Sequence, residues 1–372
     1  MCVAGLPGRR YTSFIPPRYS GSVPVTLSAM YLLQKFDPSV YLSLALLFGI
    51  AAQFRRMGGY DFLTGVLGSL GKKTGPFFAV TITTCILSPF ILNDVLILIL
   101  TPVLAASAVA KKFDATIFVV TEIVFTNISS SLTPFGNPQN ILLWEGSRLG
   151  AAQFVAIAAP PVAVSAVLAL AFLYPFGRKN DMGAGSTVKF SVLPGVYLAL
   201  EAAIVFVAGY LNIQPVLSLF VSFVVGFAFQ GNYSALVKEF DSQGLLILYA
   251  LITLVTVSSI FIQAALAGYT QPAADLQEPY SALFMLGLSN LISNVPATQL
   301  ILATSHVVPQ KAPLLAVEAG LSGNFDPISS LANLLALNIL RRNGVKTTRI
   351  MLMLFATGAV SAIPLFFLNA GL

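Results

Sequence analysis

Long apolar runs separated by short polar stretches fill most of this 372-residue chain. Only 9% of its residues are charged and 56% are hydrophobic, whereas an ordinary soluble domain carries about 25% charged residues. So few charged side chains cannot cover a water-facing surface around a chain of this size. A bilayer core about 30 Å thick is spanned by about 20 helical residues, a length that several of these runs approach. The sequence therefore predicts an all-α polytopic membrane protein.

The apolar segments divide the chain into a lead, two halves and a linker. We expect a cytoplasmic N-terminal lead at 1–21, a first transmembrane repeat at 22–175, a cytoplasmic linker at 176–189 and a second transmembrane repeat at 190–372. Uninterrupted apolar segments, each taken as one crossing, lie at 22–33, 40–54, 151–174, 190–210, 215–229, 244–268 and 350–368. Polar residues interrupt the stretches 77–110, 115–148, 281–308 and 313–340. A short interfacial helix is predicted at 61–71.

The positions of the basic residues favour one topology. If 77–110 and 281–308 are re-entrant and every other segment crosses once, Lys35, Arg148 and Lys311 lie outside. The cytoplasmic side then holds 17 of the 20 Lys and Arg residues. If 115–148 crosses twice instead, the split becomes 11 to 9, which the positive-inside rule disfavours. The preferred topology has nine crossings of the cell membrane, a cytoplasmic N-terminus and an external C-terminus.

This topology makes the second half an inverted repeat of the first. Each half then contains one re-entrant hairpin and one broken transmembrane helix. Weak sequence similarity supports the pairing, since Leu87, Ser88, Ile91 and Asn93 match Leu288, Ser289, Ile292 and Asn294. Pro134, Asn140 and Leu142 likewise match Pro327, Asn333 and Leu335. Opposed repeats with discontinuous helices are a transporter architecture.

The four interruptions, at 88–94, 127–140, 289–298 and 322–330, are the candidate functional sites. Lipid cannot bond to a broken backbone, so such chain persists only where it is buried in protein or lines a polar cavity. Helix N-termini there can attract an anion or a polar neutral solute, and carbonyl groups can bind a cation. The alternative is that these residues only kink packed helices. The candidate substrate-binding residues are Asn93, Thr133, Gly136, Asn137, Gln139, Asn140, Ser293, Asn294, Asn324, Ser329, Ser330 and Asn333.

Proline follows a capping residue three times at the breaks, in Thr133-Pro134, Asn137-Pro138 and Asp326-Pro327. This pair is typical of a helix start, because proline suits the first helical position and Asn or Asp suits the position before it. We therefore expect helical geometry to begin at Pro134, Pro138 and Pro327.

Carboxylates inside the apolar stretches are candidates for ion coupling. An ionised carboxylate at mid-depth costs roughly 2.5–3.5 kcal/mol, so such groups tend to be protonated or to bind a cation. Asp94 and Asp326 lie at breaks, and Glu122 lies in an apolar run; we expect these three to couple transport to H⁺ or Na⁺. For Glu122 the alternative is a protonated side chain bonded to a neighbouring helix. Glu201 and Glu318 are read as structural or interfacial.

Several function classes are excluded. Basic residues occur singly or in pairs, without a patch for nucleic acid. Cys2 and Cys85 are far apart and His306 is the only histidine, so we expect no metal site. An intramembrane aspartyl protease needs a second glycine where Phe325 stands. We therefore expect no enzyme activity and no cofactor.

Four motifs at the breaks carry a family resemblance. They are Asn93-Asp94 with the apolar run to Thr101-Pro102, the run Gly136-Asn137-Pro138-Gln139-Asn140, the run Ser293-Asn294-Val295-Pro296, and the run from Asp326 to Ala332. These motifs resemble the ion transporter superfamily, in particular the arsenite efflux permeases and related anion permeases. At the last motif the family more often has Thr-Pro-Ile-Gly-Ser-Leu-Ala, so Asp326 and Ser329 depart from it.

The resemblance implies the inverted-repeat fold, substrate exchange driven by protons or sodium, and homodimers in some branches. Related branches carry dicarboxylates, citrate, or Na⁺ in exchange for H⁺. Membrane lipid and a small ion are the expected partners, and nothing in the sequence requires an ATPase partner.

We therefore expect a secondary active transporter of a small inorganic oxyanion or neutral oxyacid such as arsenite, coupled to H⁺ or Na⁺. Motif similarity carries this choice of substrate, and a route through three thiols is excluded because Cys85 is the only internal cysteine. One alternative is a Na⁺/H⁺ antiporter, favoured by Asp94 and Asp326. Another is a symporter of di- or tricarboxylates such as citrate. A passive channel is the remaining class, against which four capped breaks argue.

Overall fold

The computed structural model describes residues 38–111, 114–178, 191–211, 213–229, 233–266, 280–304 and 307–367. These residues are helical almost throughout, and no strand occurs among them. The predicted segment at 22–33, the stretch 179–190 of the linker region, and His306 lie outside the described residues.

The first half contains seven described helices. They are α1 (Pro38–Arg56), α2 (Gly59–Thr74), α3 (Pro76–Leu87), α4 (Asn93–Lys111), α5 (Thr116–Ser130), α6 (Pro138–Ser147) and α7 (Ala151–Gly177). The second half contains α8 (Leu193–Tyr210), α9 (Pro215–Phe227), α10 (Tyr233–Glu239), α11 (Ser242–Leu266), α12 (Tyr280–Ile292), α13 (Asn294–Thr304), α14 (Ala312–Ser322), α15 (Leu331–Arg342), α16 (Thr348–Ser361) and α17 (Ile363–Phe367).

Length and composition identify the helices that can cross a bilayer alone. Among the described residues, Pro38–Arg56, Ala151–Gly177 and Thr348–Phe366 are long and apolar enough to do so. Large apolar side chains on the outside of the bundle, such as Val167, Leu246 and Leu352, are well exposed, as they are when lipid covers them. The chain is an all-α polytopic membrane protein, as the sequence predicts.

The four predicted interruptions are all present as helix breaks. Helices end at Leu87, Ser130, Ile292 and Ser322, and the chain resumes helical geometry at Asn93, Pro138, Asn294 and Leu331. The predicted start at Pro138 is correct, with extended backbone at Asn137. The predicted start at Pro134 is wrong, because that residue lies in a turn before Pro138, and the predicted start at Pro327 is wrong as well. There the Asp326 carboxylate accepts the N–H groups of Ile328 and Ser329, which closes a turn and delays the helix until Leu331.

Hairpin and broken helix are joined by the same backbone hydrogen bond in both halves. The N–H of Asn93 donates to the carbonyl of Gly136 at 3.0 Å, and the N–H of Asn294 donates to the carbonyl of Ser329 at 2.9 Å. The two donors are matched residues of the two halves, and the two acceptors are separated by the same 193 positions as the matched pair Asn140 and Asn333. Each bond attaches the start of a hairpin's second helix to the break of the neighbouring helix.

A second hydrogen-bond arrangement, in which an Asn amide bonds to two carbonyls of the break, is also found in both halves. The Asn140 amide donates to the carbonyls of Ser130 and Thr133 at 2.8 and 2.7 Å. At the matched positions, the Asn333 amide donates to the carbonyls of Gly323 and Asp326. The two halves therefore share local structure at their breaks, while their inverted relation stays a prediction.

The halves pack into each other through these elements. Helix α4 packs on α15, and α6 packs on α13 and α14. The halves lie close together at Gly320 of α14, where an added Cβ would lie 1.8 Å from the Ser131 hydroxyl oxygen. This interlocking brings all four breaks to one region of the bundle.

Candidate functional site

A cavity of about 300 Å³ lies where the four breaks meet. Its polar side chains come from every break: Asn93, Asp94, Asn137, Gln139, Ser293, Asn294 and Ser330. Its apolar lining includes Ile247, Leu248 and Leu251 of α11, Leu291 and Ile292 of α12, and Ile328 and Leu334 at the fourth break. Six of the twelve predicted substrate-binding residues thus share one cavity, together with Asp94.

Four helices begin at this cavity. They are α4, α6, α13 and α15, whose first turns or capping residues supply its lining. The N-terminus of a helix presents free N–H groups and roughly half a positive charge. No lysine or arginine is among the described residues that line the cavity, so these N-termini are the positive groups that the described lining offers. Such an arrangement suits an anion or a strongly polar solute.

Two buried polar atoms of the lining have no hydrogen-bond partner in the described part of the chain. They are Nε2 of Gln139 and Oδ1 of Asn294, a donor and an acceptor as the amides are placed. Leaving a buried polar group unsatisfied costs about 1–3 kcal/mol. Both residues line the cavity, so their amide groups are candidate ligands for a polar solute.

Asp94 places a carboxylate in the same cavity. It is the second residue of α4, and its own N–H donates to the Asn93 side-chain oxygen at 2.8 Å. Within the described residues, no hydrogen bond or ion pair reaches the Asp94 carboxylate. A partly buried carboxylate without a partner can take up a proton or a monovalent cation.

The other six predicted substrate-binding residues do not line the cavity. Gly136 and Ser329 accept the hairpin N–H bonds described above, and Asn140 and Asn333 close the breaks. The hydroxyl of Thr133 donates to the carbonyl of Pro89. Asn324 accepts a bond from Asn127. These side chains and carbonyls hold the broken backbone in place around the cavity.

Two of the three predicted ion-coupling residues also lie away from the cavity lining. Glu122 is fully buried in α5; its Oε1 accepts the Thr101 hydroxyl at 2.9 Å, while Oε2 has no partner among the described residues. Asp326 caps the turn at Ile328 and Ser329. Asp94 is therefore the one of the three predicted residues that shares the cavity with the candidate substrate ligands.

Asn127 supports the site, and no role was assigned to it from the sequence. Its Nδ2 donates to the side-chain oxygens of Asn324 and Asn333, at 3.1 Å each. Asn127 is fully buried in the last turn of α5, and both acceptors belong to the fourth break. One amide thus joins the broken helices of the two halves. The sequence signal that could have identified Asn127 is an Asn in an apolar helix next to a break.

Replacing Asn127 by Ala should lower the free energy of unfolding by about 1–3 kcal/mol, because two buried acceptors lose their shared donor. The midpoint of thermal unfolding in detergent measures this effect. Asn343→Ala is the matched control, since the exposed Asn343 amide donates only to the Ile339 carbonyl of its own helix. Equal midpoints for the two variants would mean that the bridge between the breaks contributes nothing to stability.

Comparisons with known proteins identify related membrane proteins. The profile of the citrate transporter family matches residues 14–319. The inner membrane protein YbiR of Escherichia coli is 31% identical over 289 residues, covering 74% of this chain and 75% of that protein. The uncharacterized transporter MJ0456 of Methanocaldococcus jannaschii is 28% identical over 294 residues, covering 76% of each. The P protein of Mus musculus is similar over a shorter stretch, at 30% identity over 112 residues, 29% of this chain and 13% of that protein.

The family match covers most of the chain, and it includes the first three of the four breaks. The similarity to arsenite permeases stays a prediction. The helix breaks, the shared cavity and the extent of the match lead to one assignment: the chain belongs to the citrate transporter family of membrane transporters.

Proposed function

We propose that this protein is a secondary active transporter that moves a small anion across the membrane together with H⁺ or Na⁺. The observation that carries the proposal is the convergence of four helix N-termini on one cavity whose described lining contains no basic side chain. Helix termini at mid-membrane breaks bind anionic groups in transporters of this architecture, and unwound carbonyls bind the coupling ion. Asp94 supplies the lining's carboxylate for that ion.

Among anions, we favour a di- or tricarboxylate over the arsenite-like oxyacid that the motifs alone suggest. A water molecule occupies about 30 Å³ of liquid, so a cavity of about 300 Å³ has the volume of about ten waters. That exceeds what a single oxyacid needs. The apolar side chains of Ile247, Leu251 and Leu291 suit a carbon skeleton, and the matching family is named for citrate.

A Na⁺/H⁺ antiporter is the second candidate function. Asp94 favours it, because a carboxylate with no described partner can exchange the two cations without any anion. The unpaired N–H group of Gln139 favours the anion, because an N–H donor can bond to an anion but cannot coordinate a cation.

Counterflow in proteoliposomes tests the proposal and separates the candidates. Liposomes are loaded with one unlabelled compound, which is citrate, succinate, arsenite, phosphate or sulfate, and the same compound in labelled form is added outside. Labelled compound should accumulate inside only when that compound is a substrate. Imposed H⁺ and Na⁺ gradients identify the coupling ion. Carboxylate counterflow supports the favoured anion class, and arsenite counterflow supports the oxyacid instead. Proton release driven by Na⁺, with no counterflow of any anion, would replace the proposal by the antiporter.

The Gln139 side chain should bind substrate rather than stabilise the fold. Gln139→Ala is expected to weaken substrate binding about tenfold or more, because the variant removes a hydrogen-bond donor worth about 1.5–3 kcal/mol to a charged group. Its unfolding midpoint should change little, since no protein hydrogen bond to this side chain occurs in the described part of the chain. Substrate concentration dependence of counterflow measures the binding.

Asn140→Ala provides the contrast. The Asn140 amide bonds to two carbonyls of the break, so its loss should lower the unfolding midpoint. A Gln139 variant that behaves like the Asn140 variant, with lost stability and unchanged apparent affinity, would remove Gln139 from the binding site.

A further inference from the structure

The Glu201 carboxyl group, in the middle of α8, is buried at a distance from the described lining of the cavity. The residue is 2% exposed, and both of its carboxyl oxygens are buried without a hydrogen-bond partner among the described residues. It lies on the face of α8 that packs inward, together with Tyr197, Val205 and Ala208 at helical spacing. The sequence placed Glu201 near an interface, but the helix directs it into the bundle.

The neighbouring polar groups are already engaged with each other. Tyr197, one turn before Glu201, donates its hydroxyl to Oε1 of Gln53 on α1. The Gln53 amide donates to the Phe223 carbonyl of α9 at 2.9 Å. Gly226 of α9 allows this close packing, because an added Cβ there would lie 2.0 Å from the Gln53 side-chain oxygen. These bonds leave the Glu201 carboxyl group without a donor that would stabilise its ionised form.

No described charged group faces Glu201 from the helices that pack on α8, which are α1, α2, α7 and α9. Helices α7 and α9 contain no Asp, Glu, Lys or Arg. On α2, Asp61, Lys72 and Lys73 are exposed. On α1, Arg56 is exposed, and Arg55 turns to Glu239, with Nε 3.9 Å from its carboxylate. Tyr197, on the same helix, is the one titratable side chain close to it.

We propose that Glu201 is a proton-binding site of the transport cycle, separate from the substrate cavity. A buried carboxyl group with no cation and no donors is stable in a membrane only when it is protonated. Loss of the proton leaves a buried charge, so it requires α8 to move until water or a cation reaches the group. Protonation of Glu201 and the position of α8 are therefore linked.

Helix α8 also touches the second break, which connects this site with the cavity. The ring of Phe206 on α8 packs edge-on against Phe135, with centroids 6.3 Å apart. Phe135 precedes Gly136, whose carbonyl accepts the Asn93 N–H at the cavity. Movement of α8 upon proton loss thus displaces a residue that holds the substrate site together.

The inference rests on the proposed ion-coupled transport, so the experiment has one arm that requires no substrate. Infrared difference spectra of the full chain in liposomes, recorded across a pH titration, should show the carbonyl band of a protonated carboxylic acid. Glu201→Gln should remove one component of that band, a component that Asp94→Asn and Glu122→Gln both keep. Asp61→Asn, an exposed carboxylate on α2, should leave it in place. A band that is unchanged in Glu201→Gln would overturn the proposal.

The second arm measures uptake driven by an imposed pH gradient, with the substrate that counterflow identifies. Glu201→Gln should reduce the accumulation at least about tenfold, within the usual range of coupling between sites, and Asp61→Asn should not. If Glu201→Gln fails to assemble, Glu201→Asp should shift the titration midpoint of the band. Accumulation equal to the wild type, or a dependence on the Na⁺ gradient alone, would refute the role. If no anion shows counterflow in the wild type, the proposed function fails, and the infrared arm still decides whether Glu201 binds a proton.

Discussion

Replacing Asp94 by Asn should reduce ion-driven accumulation of substrate at least about tenfold, while the protein still inserts and folds. Within the described lining of the cavity, Asp94 carries the carboxylate, and no described residue forms an ion pair or hydrogen bond with it. The Asn side chain has nearly the same shape, but it neither releases a proton nor carries the charge that a sodium ion requires. The backbone bond between Asp94 and the Asn93 side chain does not involve the carboxylate, so α4 should begin as before.

Asp326→Asn is the matched control for this experiment. The Asp326 carboxylate oxygen accepts two backbone N–H groups at 2.6 and 2.7 Å, and an Asn side-chain oxygen can accept the same bonds. We expect this variant to keep ion-driven accumulation. Parallel assays in proteoliposomes with imposed H⁺ and Na⁺ gradients compare the two. Full coupling in Asp94→Asn would exclude Asp94 from ion coupling, and lost coupling in Asp326→Asn would assign the coupling ion to the fourth break.

The positions of the breaks were predictable because the membrane makes an interrupted helix expensive unless protein covers it. Asn, Ser and Pro inside apolar runs are therefore strong local signals, and all four breaks lie where these residues cluster. The start of α6 at Pro138 follows from a local preference of the same kind. At Pro327 the same preference does not start a helix, because the Asp326 side chain bonds to the backbone of its own turn.

The division between cavity residues and supporting residues was not predictable from local sequence. Asn137 and Asn140 lie in one motif, yet Asn137 lines the cavity as well as donating to the Ser130 hydroxyl, whereas within the described residues the Asn140 side chain bonds only to carbonyls of the break. Side-chain direction decides this, and direction depends on where the neighbouring helices pack. The bridge from Asn127 to Asn324 joins residues 197 positions apart, which no local pattern encodes.

The same division explains why the two halves can resemble each other and still form one asymmetric site. The repeated bonds from the Asn140 and Asn333 amides stabilise the broken backbone, and this stabilisation is required in both halves. The lining differs between the halves: Asp94 and Gln139 come from the first, and Ser293 and Ser330 from the second. Ser293 also adopts a left-handed backbone with φ 73°, a strained geometry that is often kept at binding sites.

Gly136→Ala should abolish transport and lower the free energy of unfolding by about 1–3 kcal/mol, the usual cost of forcing a group into packed structure. A Cβ at Gly136 would lie 2.2 Å from the Ser130 carbonyl oxygen and 2.8 Å from the Ser130 Cα. Both are backbone atoms, so they cannot rotate away as a flexible side chain can. The break must open, and the Gly136 carbonyl then moves from the Asn93 N–H that it accepts at the cavity.

Gly287→Ala in α12 is the matched control, because nothing lies within 4 Å of an added Cβ there. Alanine within a helix is expected to be neutral or stabilising by about 0.4–1 kcal/mol. Counterflow and the thermal midpoint in detergent should therefore separate the two glycine variants in both readouts. If Gly136→Ala transported at the wild-type rate, the close contact between Gly136 and Ser130 would not be needed during transport. The second break could then not be a rigid part of the substrate cavity.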